Sequence, residues 1–414
     1  MVEPTEPGET TEARARAVVE YDYLQTTPAI RARTNTVFEA ARRGTLAHFR
    51  LNEGQLPAVA ERVLAVTREV YPDLRAIPYH GRYRHFDVGG VARLARFQRS
   101  LEDFDVDNRL RACTELVITS VLLDAGAGAG WQYREPDGRS FSRSEGLAVA
   151  SYHLFMSGAL ASDHSSSADG AGLLAFDAAR LASAFQVTDD NPLVGVAGRA
   201  ELLRKLGEVV LTTPAYFDST RPRLGDLGVG LKRAAQDGKL PASAVLDAVL
   251  RALGPIWPGR EKLAGKSLGD VWKHSRFGLV PFHKLSQWLS YSLFEPLEAA
   301  GITVTDIDEL TGLPEYRNGG LFLDAGVLEL VEPRQRELTH EVASELVIEW
   351  RALTVALLDR LADVVRERVG MSAVELPLAR ILEGGSWRAG RVIASELRDG
   401  GGPPLKIESD GTVF

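Results

Sequence analysis

The sequence predicts a mainly α-helical protein with one small β-hairpin or sheet, and three observations lead there. Apolar residues recur at three- and four-residue spacing through most of the chain, the period of one helix face. Alternation of apolar and polar residues is confined to one short stretch. With 414 residues, 45% of them apolar and 25% charged, the chain can bury one large core or two moderate ones.

In chain order, residues 1–12 are rich in Glu, Thr and Pro, cannot offset the entropy of ordering, and are expected to form a disordered tail. Residues 13–398 are expected to form a single helical unit, either one body or two lobes with a cleft between them. The Gly-Gly-Gly-Pro-Pro run at 400–404 opens an expected C-terminal tail, 399–414. Asp107 to Leu123 reads as a helix capped by Asp107, with Leu110, Cys113, Leu116, Val117 and Val121 facing inward. Trp131 to Arg134 and Ser140 to Ser142 read as strands joined at Asp137-Gly138, a turn that needs positive φ at the glycine. Ser142-Arg-Ser-Glu145 then reads as a capping box opening the next helix, which gives Glu145 a structural role beside any functional one.

His283, Lys284 and Gln287 interrupt the apolar and aromatic run Phe282 to Phe294, either as a solvated face or as a binding edge. Between 305 and 326 the pattern predicts a tight helix–turn–helix hairpin. Thr305 or Asp306 caps a short helix that ends at Gly312, Pro314 opens the next one, and Gly326 closes it. Glu315 then falls in a first turn, where free N–H groups and the macrodipole favour an ionised carboxylate. Arg317 and Asp324 fall on one face, with Gly320 between them allowing close approach. From His340 to Val369 the apolar series Val342, Leu346, Val347, Trp350, Leu353, Leu357, Leu358, Leu361, Val365 predicts one long helix.

Composition narrows the function. A net charge of −8 argues against a nucleic-acid partner, because such binding draws on a basic surface. The single cysteine, Cys113, forms no internal disulfide and no thiolate zinc cluster, as expected of a reducing compartment. No run of eighteen apolar residues and no basic-then-apolar leader is present, so a cytoplasmic protein without a membrane partner is expected. His80 and His85 are five residues apart, no His-x-x-x-His occurs beside a carboxylate, and neither metal nor cofactor is called for. The glycine-rich stretch Asp124-Ala-Gly126-Ala-Gly128-Ala-Gly130 follows a helical run and leads into the hairpin, so it does not read as a dinucleotide loop. Nor does it carry the paired acids and threonines of a phosphoribosyl-diphosphate loop.

Four strings, Gly81-Arg-Tyr-Arg-His85-Phe86, Glu115 to Gly128, Ser142-Arg-Ser-Glu-Gly-Leu147 and Leu310 to Asp324, resemble the uracil-catabolism protein four family, which accompanies pyrimidine degradation. The likeness runs over nearly the whole chain. A fainter one, over roughly 107–330, is to the queuosine-phosphate salvage N-glycosidases, whose helical fold is similar to helix-hairpin-helix DNA glycosylases.

That second resemblance implies a catalytic acid at Glu315, where the glycosidases carry aspartate. It also implies a Tyr-Arg pair at Tyr316 and Arg317 and a Lys-x-x-Gln-like helix at Lys284 and Gln287. Together the likenesses imply hydrolysis of an N-glycosidic bond in a ribosylurea-type or pyrimidine-derived nucleotide, giving urea or a base and ribose 5-phosphate. In that scheme Glu315 faces C1′, with Asp324 as a second acid or a clamp. Arg317 and Lys284 hold the phosphate, and Asp124, Trp131 and Tyr133 bind the leaving group, with Glu145, His283, Gln287 and Tyr316 also in contact with substrate. The rival readings are phosphoribosyl transfer to uracil and a non-catalytic protein that binds a pyrimidine metabolite. The oligomeric state is open at this level.

Overall fold

The computed structural model describes residues 11–128, 130–257 and 261–408, and among these it contains sixteen α-helices and six two-stranded strand pairs. The helices that matter for the site are α1 (Thr27–Arg42), α2 (Val106–Leu122), α3 (Arg143–Met156), α4 (Lys284–Ala299), α5 (Tyr316–Asp324), α6 (Glu345–Val369) and α7 (Trp387–Leu397). The mainly helical class holds. Besides the expected hairpin, β1 (Gln132–Arg134) with β2 (Ser140–Ser142), five further short pairs tie distant segments together.

One contiguous apolar cluster extends from Ile30 to Leu405, and α6 lies at its centre, with Leu346, Trp350, Leu353, Leu357, Leu361 and Val365 all buried. The helix begins at Glu345 rather than His340. Thr339–Glu341 instead forms a strand paired in parallel with Lys406–Glu408. This pairing also corrects the expected C-terminal tail, because residues 399–408 are folded and Leu405 is fully buried. The glycine and proline run is ordered by contacts that its composition does not announce: Arg317 Nη1 donates to Gly401 O at 2.7 Å, and Arg398 Nε to Gly402 O at 2.8 Å. Residues 11 and 12, assigned to the tail, start a helix; residues 1–10 and 409–414 lie outside the described residues.

Two caps differ from the expected ones. Helix α2 is capped by Asp105, whose carboxylate accepts from Asn108 N at 2.8 Å, while Asp107 pairs with Lys232. Ser142 stands at the start of α3 without a side-chain capping bond, and Glu145 reaches out to Arg391 at 3.0 Å instead of back to the cap. The hairpin turn is as predicted, with Gly138 at φ 89°.

A buried ion pair anchors the central helices. Asp270 accepts from both terminal nitrogens of Arg351, at 2.8 Å each, from Trp272 Nε1 at 2.7 Å and from Lys284 N at 2.9 Å. Burial opposes ionisation of Asp270, yet Arg351 holds its carboxyl below the ordinary range. Replacing Arg351 with Ala strands this carboxylate in the core. The expected result is a loss of about 3–5 kcal/mol in a urea unfolding experiment, and a loss below about 1 kcal/mol would show that the pair is replaceable.

Candidate active site

A cleft of about 380 Å³ opens where α2, α3, α4, α5 and α7 converge. Its lining includes Asp124, Ser144, Arg143, Lys284, Glu315 and Tyr316, with His80, His85, Trp288 and Trp387. Each side chain arrives there for a local reason.

Glu315 is the N-cap of α5, not a first-turn residue, and Pro314 precedes the helix. Glu315 Oε2 accepts from Arg317 N at 2.7 Å and Oε1 from Asn318 N at 2.6 Å. One lone pair on each oxygen therefore remains free to face the cleft. Burial pushes this carboxyl up, against the pull of the two N–H groups, Lys284 and His80. The segment before it is not the expected hairpin of two helices. A 3₁₀ turn, Ile307–Glu309, leads to an extended stretch because Gln287 bonds both the N–H and the hydroxyl of Thr311, at 2.7 Å each. Tyr291 donates to Thr311 O at 2.9 Å. Helix α4 thus sets the distance between Lys284 and Glu315.

Lys284 is the first residue of α4, and His283 before it adopts a left-handed backbone at φ 46°. Burial pulls the Lys284 ammonium down, while Glu315, Asp270 and Asp124 oppose that. Its charge is thus felt by both cleft carboxylates.

Asp124 follows α2 and accepts from Ser144 Oγ at 2.7 Å, with Arg82 Nη1 at 3.3 Å. Burial raises the Asp124 carboxyl against the pull of Arg82 and Ser144. Arg82 is fully buried behind it and also donates from Nε to Ser120 Oγ at 2.7 Å and from Nη1 to Ser144 O at 3.0 Å. Arg82 can enter so deeply because Gly81 lies against the α4 backbone; a Cβ there would come within 2.9 Å of Ser292 Cα. His85 Nδ1 lies 3.3 Å from Arg82 Nη1, and burial, helped by that guanidinium, pulls the imidazole down to about 3. His85 is therefore neutral, with Nδ1 as acceptor and Nε2 carrying the proton.

The glycine-rich turn after Asp124 supplies one wall, and its carbonyls are gathered by Arg199. Nε bonds Leu123 O at 3.0 Å, and Nη2 bonds Ala125 O at 2.8 Å and Gly126 O at 3.1 Å. Its C=O groups point at a cation, the reverse of a loop whose N–H groups cradle phosphate.

Of the expected site residues, Asp124, Lys284, Glu315 and Tyr316 line the cleft and the others do not. Trp131 is buried with its Nε1 donating to Phe185 O at 2.9 Å, and Tyr133 stacks on His153 with centroids 5.7 Å apart, so both hairpin aromatics hold the hairpin to the body. Buried His283 bonds Leu24 O at 2.9 Å, and Gln287 braces Thr311, so neither is a solvated face or a cleft group. Glu145 is held by Arg391. Arg317 is buried, with Gly401 O as partner and Tyr316 stacked against its guanidinium at 4.8 Å. It does not pair with Asp324, whose carboxylate binds Arg398 at 2.8 and 2.5 Å. The close approach at Gly320 is that of Pro404. The differences at Arg317, Asp324 and Gly320 share one cause, the folded 398–408 segment, which supplies Gly401, Arg398 and Pro404 as their partners.

The cleft also uses residues that sequence reasoning passed over. Arg143, at φ 53°, reaches its rim and donates to Gly400 O at 3.2 Å; among the described residues no carboxylate pairs with it. Trp288 and Trp387 supply flat apolar walls, and the buried Trp288 Nε1 has no hydrogen-bond partner among the described residues. His80, one residue before the Gly81 string, also lines the cleft. Among the described residues no group of three or more His, Cys, Asp or Glu is arranged to hold a metal ion, and no helix is long and apolar enough to cross a membrane.

Fold and cleft together define a helical protein with two carboxylates, cations and aromatic walls gathered around a space fit for a small polar molecule. A family model described as "Protein of unknown function (DUF1688)" matches residues 23–414, and the chain belongs to this family. It is 41% identical over 397 residues to Protein urg3 of Schizosaccharomyces pombe, covering 93% of this chain and 96% of that protein. It is 37% identical over 434 residues to Uracil catabolism protein 4 of Lachancea kluyveri, covering 95% of this chain and 98% of that one.

Because Asp324 serves Arg398, Asp324→Asn should loosen the C-terminal segment. Amide hydrogen exchange is expected to quicken across 398–408, with roughly 1–3 kcal/mol lost from local stability, while exchange in α4 stays as in the parent. Faster exchange confined to α4 would count against this placement.

Proposed function

We propose that this protein acts in pyrimidine degradation and hydrolyses the N-glycosidic bond of a ribosylurea-type or pyrimidine-derived nucleotide. The relative named Uracil catabolism protein 4 supports the pathway. The observation that carries the reaction is the convergence of Glu315, Lys284 and Asp124 on one cleft, with Lys284 coupled to both acids.

Breaking a ribosyl C–N bond builds positive charge at C1′ and O4′, which a fixed carboxylate stabilises. Glu315 suits that role: its two backbone bonds hold it still, and its remaining lone pairs can also orient a water molecule. Asp124 can accept N–H groups of the leaving ureide or base. The flat faces of Trp288 and Trp387 can cover it. The phosphate role expected of Lys284 with Arg317 passes to Arg143 at the rim, since Arg317 is engaged elsewhere and Lys284 lies within the fields of the two cleft acids. No cofactor enters this scheme.

Purified protein incubated with ribosylurea 5-phosphate and with uridine 5′-phosphate, read by mass spectrometry, should release urea or uracil together with ribose 5-phosphate from one of them. Turnover that depends on added diphosphate would instead favour phosphoribosyl transfer. Glu315→Gln is expected to lower turnover by on the order of a hundredfold or more with little change in substrate binding, whereas Glu315→Asp retains part of the activity. Near-normal turnover in Glu315→Gln would return this residue to a purely capping role. Arg143→Ala should weaken binding of the phosphorylated substrate far more than of its nucleoside, and equal losses on both would remove Arg143 from phosphate recognition.

A further inference from the structure

The glycosidic reading leaves one chemical requirement unassigned. A ureide or amide nitrogen is a very poor leaving group as an anion, so its departure from C1′ needs a proton. Glu315 is committed as a charge beside C1′. His85 is neutral and has its Nδ1 occupied by Arg82. Burial pushes the Tyr316 hydroxyl up, away from proton donation.

We propose that His80 and Glu383 form the proton-donating pair of this cleft, with His80 delivering a proton from Nε2 to the departing nitrogen and Glu383 orienting the ring. The inference rests on the glycosidic reading of the same site.

His80 lines the cleft, and its Nδ1 lies 2.8 Å from Oε2 of Glu383, a residue outside the lining. That contact fixes the ring with Nδ1–H donating to the carboxylate, as in catalytic histidines oriented by a carboxylate. Among the described residues Nε2 has no hydrogen-bond partner, and His80 is part of the cleft lining. The backbone holds the residue as well: His80 N donates to Ala379 O at 2.9 Å, and the ring leans on Trp387 with centroids 6.2 Å apart. Burial opposes ionisation of Glu383, but the His80 bond together with the charges of His80 and Arg84 holds its carboxyl below the ordinary range. His80 also contributes to the electrostatics of Glu315, which puts donor and charge at one reaction centre.

Glu383 sits in a π-helical turn, Leu382–Ser386, a wide turn that costs stability and recurs at functional sites. Here it aims Glu383 at His80, and Ser386 in the same turn donates to Asn318 Oδ1 at 2.8 Å. Asn318 is the residue whose N–H caps Glu315. The two catalytic groups are thereby held in one hydrogen-bonded frame.

The step balances. The C1′–N bond breaks and its electron pair stays on nitrogen, which takes the Nε2 proton. Water adds to C1′ and gives its proton to Glu315. Solvent then reprotonates His80 and deprotonates Glu315, so one water is consumed.

The test compares two leaving groups on the same sugar phosphate: ribosylurea 5-phosphate, whose nitrogen must be protonated, and 4-nitrophenyl riboside 5-phosphate, whose phenolate leaves unaided. In His80→Ala, kcat on the ureide should fall by on the order of a hundredfold or more, and on the nitrophenyl riboside by less than about tenfold. Glu383→Gln should shift the two rates in the same sense by a smaller factor, and it guards against a folding defect in the first variant. Equal losses on both substrates, or no loss on either, would overturn the proton-donor role while leaving the glycosidase standing. Wild-type protein inert toward both compounds would instead bring down the glycosidic reading, and this inference with it.

Discussion

The spacing of Lys284 and Glu315 across the cleft depends on Asp270 and Arg351. A carboxylate in a core this apolar is tolerated only when its lone pairs are filled, and Asp270 fills them with two guanidinium bonds, an indole N–H and the amide of Lys284. The Lys284 bond is the one with functional reach. It pins the first residue of α4 beside α6, with Phe282 packed under the Arg351 guanidinium at 4.1 Å. From that fixed start, Gln287 and Tyr291 hold Thr311, and the stretch from Thr311 delivers Glu315 to the cleft. A deep ion pair thus sets, through one backbone hydrogen bond and one helix, the spacing of two cleft side chains.

The opposite wall is built on a second buried charge. Arg82 carries its guanidinium into the core and offsets the desolvation with Ser120, Ser144 and Asp124. The same cation that compensates Asp124 suppresses the charge of His85. One buried arginine therefore separates the roles of its neighbours, leaving an acceptor at Asp124 and a neutral N–H donor at His85. His80, five residues earlier, has a carboxylate at its Nδ1 where His85 has a guanidinium.

The sequence made the helical class, the α2 and α6 cores and the hairpin at Gly138 legible, because each rests on local periodicity or turn chemistry. It located the Glu315 segment through its glycines, proline and acid. What it missed was set by distant partners. Asp324 and Arg317 share a helix face at the spacing of an ion pair, but Arg398 and Gly401 lie closer in space and take them apart. Trp131 and Tyr133 look like binding aromatics on an exposed hairpin, until Phe185 and His153 cover them. Glu145 has every mark of a capping box except that Arg391 reaches it from α7. Tertiary contacts compete with local rules wherever a polar side chain has two possible partners. The π-helical turn at Gly384 and Gly385 has no periodicity that sequence reading could detect. Its glycines are required by crowding, since a Cβ at Gly385 would meet Val63 at 2.4 Å.

The distribution of charge in the cleft implies an orientation for its ligand. Arg82 is neutralised by Asp124, and Lys284 lies within the fields of Glu315 and Asp124, so neither deep cation offers a surplus of positive charge. Arg143 differs: it is exposed, bound to a backbone carbonyl and matched by no carboxylate among the described residues. A doubly charged phosphate is best solvated where water still reaches it and an unneutralised guanidinium is at hand, which is the rim. The neutral end of such a molecule then points inward, toward the tryptophan walls. In the proposed reaction the phosphate would lie outside and the leaving group inside, and the sugar carbon that joins them would fall between Glu315 and His80. That is the arrangement in which a fixed negative charge and a proton donor act on one bond from two sides.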